Sequence, residues 1–166
     1  MCSYCDDPTM TPERERAWLT ATIAEFGWAV QGVEGTRHRP PWSYTIGLTP
    51  HARPELVVTG LALPAAQALL NDVAAHLLHA DTPTAGEQVP LVGGPVIEYV
   101  RVAHPEVHLT RAAGLYGSSV SALQVVWADD RGRWPWDVGF RGRRGGQPVL
   151  GPRARASDAD GTSSGA

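Results

Sequence analysis

Cys2 and Cys5 stand three apart in MCSYCDDP, a spacing at which two thiolates can close on one zinc ion. They are the only cysteines in the chain. A second half-site lies downstream in HPEVH, where His104 and His108 are four apart. Together the four side chains would complete a closed tetrahedral set, structural rather than catalytic, and zinc is the cofactor it would take. The competing reading leaves the cysteines as a reduced thiol pair and the histidines as loop residues. Asp72, His76 and His79 share one helical face at i, i+4 and i+7. They read more simply as the solvated face beside a leucine stripe.

Other chemistries find little support. Lysine is absent and all 14 basic residues are Arg, which removes Schiff-base, phosphate-loop and general-base lysines. GSSVS, at residues 117–121, lacks the second glycine of a nucleophile elbow. Cys5 is followed by Asp6 and Asp7, which raise a thiol pKa rather than lower it. Gly93-Gly94 and Gly145-Gly146 do not open helices, so neither cradles a phosphate. No catalytic set is recognised. Two loops instead carry binding anchors: RHRPPW with Arg39 and Trp42, and WPWD with Trp134 and Trp136. Proline-rich loops at one sheet end would gather these four around one concavity, with His51 and Glu55 on a nearby turn helping to line it. The alternative role for Trp134 and Trp136 is to close the end of the core, with Pro135 fixing the backbone. The favoured function is a non-enzymatic binding or regulatory domain for a protein or small ligand. A metal-binding protein or metal-dependent enzyme is the alternative.

These residues need a scaffold. Thr11-Pro12-Glu13 is a helix start, and Trp18, Leu19, Thr22, Ile23 and Phe26 follow at helical spacing up to Gly27. A second helix opens at Pro64, with Leu69, Leu70, Val73, Ala74, Leu77 and Leu78 as one apolar stripe. Strands are expected over 28–33, 42–48, 55–60, 95–103 and 122–128, with a shorter one in QVPLV. Val96, Glu98, Val100 and Val102 should share one face of their strand, and Ile97, Tyr99 and Arg101 the other. Leu109 to Tyr116 reads as a short helix. The expected fold is α+β: a single domain over 11–140 with a mixed, mostly antiparallel sheet and two main helices packed on it. The CxxC segment precedes it at 1–10. A disordered tail follows at 141–166, poor in apolar residues.

GWAVQGVEG, RPPWSYTIGLTPHARPELVVTGL, LLNDVAAHLL, PVIEYVRV and ALQVVWADDRGRWPWD together resemble the bacterial domain of unknown function 4262 family. The resemblance spans about residues 2–140 and includes the opening CxxC and Asp. It implies a bacterial cytosolic setting and no established reaction. YTIGL and PELVV are also loosely similar to suppressor-of-fused-like domains, some of which act as immunity proteins.

Charge sets further expectations. Through Phe140 there are 9 Arg against 15 acidic residues, and the remainder carries 5 Arg against 2 Asp. An acidic globular part argues against nucleic acid as a partner. No apolar run approaches the ~18 residues of a membrane span, and no leader is visible, so a cytoplasmic protein without a membrane partner is expected.

Overall fold

Thr11 caps the first helix as its sequence predicts. Its hydroxyl accepts from the Arg14 N–H at 3.3 Å, and helix α1 runs Pro12–Phe26. Gly27 ends it, with its N–H on the Ile23 carbonyl. The computed structural model describes residues 9–154, so the CxxC pair lies outside the described residues. Helix α2 runs Leu63–Leu77 and buries Ala66, Leu69, Leu70, Val73, Ala74 and Leu77, the expected stripe. Burying each of its larger side chains contributes about 1.5–3 kcal/mol. Asp72, His76 and His79 are exposed on the far side. The short helix expected over Leu109 to Tyr116 is α4, Thr110–Tyr116, and an unexpected single turn, α3 Pro105–His108, precedes it.

Strands β1 Ala29–Val33, β2 Trp42–Ile46, β3 Glu55–Thr59, β4 Gln88–Pro90, β5 Val96–Arg101 and β6 Ala122–Trp127 form one sheet, ordered β1-β2-β3-β6-β5-β4. The sheet is mixed, as expected, with antiparallel pairs on either side of a parallel centre. The central pairing, β3 with β6, is parallel, with Val57 opposite Gln124. A parallel pair needs a long crossover, and here the chain between β3 and β6 supplies it with α2, the β4–β5 hairpin and α3–α4.

Each face of the sheet has its own core. On the first face Leu56, Val58, Ile97, Tyr99, Leu123, Val125 and Trp127 pack with α2. On the second, Tyr44, Ile46, Val57, Val102 and Ala122 pack with Leu19 of α1 and Ala112 of α4. Glu15 of α1 and Arg111 of α4 form an ion pair between the two helices on that face.

The expected disorder from residue 141 does not hold for residues 141–154, which pack on the domain. The segment from Gln147 to Arg153 runs as a strap over polar side chains of the second face. The Pro148 carbonyl accepts from Thr59 Oγ1 and Gln124 Nε2, both at 2.7 Å. The Leu150 N–H donates to Gln124 Oε1 at 2.7 Å, and its carbonyl accepts from Ala103. Gln147, itself buried, bonds both the N–H and the carbonyl of Trp127. The Arg153 guanidinium reaches the buried Glu98 carboxylate through Nε at 3.0 Å. At Gly151 any Cβ would collide with the Arg101 carbonyl. Composition misled here because hydrogen bonds from strand side chains, rather than apolar burial, hold the strap. Residues 155–166 lie outside the described residues. Among the described residues no helix is long and apolar enough to cross a membrane.

Candidate functional site

Trp42, which opens β2, is paired with Thr59, which closes β3, and β6 ends at Trp127. The loops before β2, after β3 and after β6 therefore emerge from one end of the sheet. Gly60 ties them together. Its N–H donates to the Pro41 carbonyl at 2.9 Å, and its own carbonyl accepts from Arg141 at 3.4 Å. Its φ is +78°, and a Cβ there would come within 2.7 Å of the Gly146 carbonyl, so the junction requires glycine.

Asp129 organises the loop after β6. Its carboxylate accepts from the backbone N–H groups of Arg131, Arg133 and Arg141 at 2.8–2.9 Å and from the Arg133 guanidinium at 3.0 Å. Desolvation would raise its pKa, but these donors outweigh it and hold the carboxyl below its ordinary range. A depressed carboxylate contributes stability above its unfolded pKa of about 3.9, and that contribution is lost as pH falls through the folded value. Asp129→Asn leaves one acceptor oxygen for these donors. Amide exchange at Arg131, Arg133 and Arg141 is expected to quicken about tenfold or more at neutral pH. Unchanged exchange would mean that the loop is held by other contacts.

The ordered loop encloses a cleft of about 590 Å³, lined by Leu61, Trp127, Asp129, Asp130 and the arginines Arg131, Arg133, Arg141 and Arg144. Arg141 lies 5.3 Å from the centre of the Trp127 ring, a cation–π contact that fixes its guanidinium. Phe140 packs on the same indole at 5.4 Å. Arg133 is taken up by Asp129. Arg131 and Arg144 are exposed, with no side-chain partner among the described residues.

The residues singled out from sequence fall into separate groups. Arg39 stands 5.7 Å over Trp42, whose indole N–H donates to the His108 carbonyl at 3.2 Å. Burial lowers the His108 imidazole pKa, and Arg39 acts in the same direction against Glu106. Trp134 and Trp136 stack on each other at 5.5 Å, and Arg153 of the strap lies 4.1 Å from the Trp136 ring. Both groups sit at the loop end of the sheet, but among the described residues no ring or hydrogen-bond contact joins them. His51 is elsewhere. It lies in the turn after β2, at the far end of the strand from Trp42, and the strand's rise alone separates those ends by about 13 Å. Glu55 is fully buried and bonded to that same turn. His104 caps α3 with φ 55° and pairs with Glu106 at 3.3 Å on the surface. Cys2 and Cys5 lie outside the described residues, and among the described residues no three His, Cys, Asp or Glu side chains converge as a metal site.

Sequence reasoning missed the arginine cleft, because Arg131 and Arg133 follow the last strand whereas Arg141 and Arg144 fall in the stretch expected to be disordered. The usable signal is the density of arginine between residues 131 and 144. A family model described as Domain of unknown function (DUF4262) matches residues 22–141. The chain belongs to that family. No curated protein and no solved structure gives a match. The DUF4262 match takes in the whole sheet and Asp129 through Arg141, whereas the strap lies beyond it.

Proposed function

We propose that this DUF4262 domain is a non-enzymatic recognition module whose binding face is the loop-built end of the sheet. The observation that carries the reading is the cleft at the carboxyl ends of β3 and β6. In open α/β sheets ligands bind in the crevice outside the carboxyl ends of parallel strands, and the parallel pair β3–β6 puts this cleft in the corresponding place. Its volume falls within the 300–1,000 Å³ usual for small-ligand sites. Its walls are loops pinned by Gly60 and Asp129 to a rigid sheet, the arrangement that places binding residues accurately. Arg39 with Trp42 and the Trp134–Trp136 stack lie outside the residues that line the cleft, and Trp136 holds the strap through Arg153.

Amide and indole spectra of the labelled protein, recorded against a chemically mixed fragment library, test this. Binders are expected to shift Arg131, Arg141 and the Trp127 indole together. Shifts confined to the apolar groove between α1 and α2, beside Trp28 and Asn71, would move the site away from the loop end and overturn the reading.

A further inference from the structure

We infer that the cleft takes a compact dianion, the phosphate group of a small organic phosphate; this rests on the recognition reading above. The charges that face it decide the ligand class. Asp129 and Arg133 neutralise each other through paired bonds. That leaves Arg131, Arg141 and Arg144 against Asp130, an excess of two positive charges on one concave wall. Two of the three guanidiniums have no protein partner among the described residues, and the third is fixed in place by Trp127. Guanidinium forks match phosphate oxygens in a bidentate manner, and a pre-oriented fork loses little freedom on binding.

The rest of the molecule argues for a small ligand over a polyanion. The chain carries a formal charge of −3, and that deficit lies outside the cleft. An extended nucleic acid would have to leave the cleft for a remainder of the chain that is net negative, whereas a single phosphate group stays within the positive patch.

The full chain is titrated with inorganic pyrophosphate and with phenyl phosphate, followed by amide shifts, with acetate at matched ionic strength as reference. Saturating shifts at Arg131, Arg141 and Arg144 are expected, with a dissociation constant of about 1 mM or below. The double variant R131Q/R144Q is expected to bind roughly 10- to 100-fold more weakly, with an unchanged thermal midpoint because both side chains are exposed. R16Q, on the exposed face of α1, should bind as the native chain does. Equal weakening in R16Q would mean bulk charge attraction and overturn the assignment. So would saturation by acetate at the same concentrations, or tighter binding of a single-stranded oligonucleotide lacking terminal phosphate. If neutral fragments shift the cleft and the phosphates do not, the dianion assignment fails and the recognition reading stands. If neither shifts it, both fail.

Discussion

A chain cut after Gly146 is expected to unfold at least about 10 °C below one that ends at Ala154. The longer chain keeps every strap contact and is the proper reference. The cut takes away the partners of Gln124, Thr59 and Glu98 and of the Trp127 backbone, all of them buried. An orphaned polar group costs about 1–3 kcal/mol, and water entering the opened face recovers part of that. Leu150, packed against the second core, is lost as well. A net cost of about 3 kcal/mol moves the midpoint of a domain this size by about 10 °C, and whole domains hold only about 5–15 kcal/mol. If the short chain fails to fold, Gln147→Ala in the full chain keeps the question open to measurement, because it removes only the bonds to Trp127. A denaturant midpoint unchanged in that variant, or equal thermal midpoints for the two cut chains, would show that the strap lies on the sheet without stabilising it.

That result bears on how much a sequence of this kind discloses. The local signals were legible. Thr11, Pro12 and Gly27 mark the ends of α1 because capping is settled by a few neighbouring residues. The stripe on α2 and the alternation of Ile97 and Tyr99 against Val100 and Val102 follow from helix and strand periods alone. The parallel centre of the sheet was not legible. It depends on which strand arrives beside β3 after a long excursion, and no local pattern encodes that. The strap was misread for a related reason. RRGGQPVLGPR offers little to bury, but its partners were in view elsewhere: a Gln inside ALQVVW and a Glu inside PVIEYVR. A polar side chain in a strand covered on both faces must find a partner. Asking what Gln124 and Glu98 bond to would have pointed to a segment outside the sheet.

The candidate site shows the same division. The anchor residue types stand out in the sequence, but their grouping depends on which sheet end and which face each loop reaches. Trp42 and His51 are close in sequence and lie at opposite ends of β2. Arg131 stands just after the last strand and Arg144 in the stretch expected to be disordered, and both line one cleft.

Glu55 raises the sharpest question of role, since the sequence placed it beside His51 as a possible lining residue. Its carboxylate is fully buried and accepts four hydrogen bonds. Oε2 takes the Thr45 hydroxyl at 2.7 Å; Oε1 takes the Gly47 N–H at 3.1 Å and both the N–H and the hydroxyl of Thr49 at 2.9 and 2.8 Å. Among the described residues no cation pairs with it. Thr45 Oγ1 in turn accepts from the Leu56 N–H at 2.8 Å, so the hydroxyl's single proton is committed to Glu55. Glu55→Ala is therefore expected to cost about 3–5 kcal/mol, because two backbone donors and two hydroxyls lose their acceptor in a closed site. Glu55→Gln keeps the shape but turns one acceptor into a donor. If the amide faces Thr45, that hydroxyl meets two donors and its own proton has no acceptor; if it faces the turn, the Gly47 and Thr49 N–H groups lose theirs. A cost of about 2 kcal/mol is expected, read as a lower denaturant midpoint at constant slope. Thr45→Val combined with Glu55→Gln should cost less than the sum of the two changes, since the first removes the hydroxyl that the second offends. The turn lies at the opposite end of the sheet from the arginine cleft, so Glu55→Gln, while folded, should leave fragment shifts at Arg131 and Arg141 unchanged. If it instead kept full stability and abolished those shifts, the carboxylate would belong to the ligand and not to the turn.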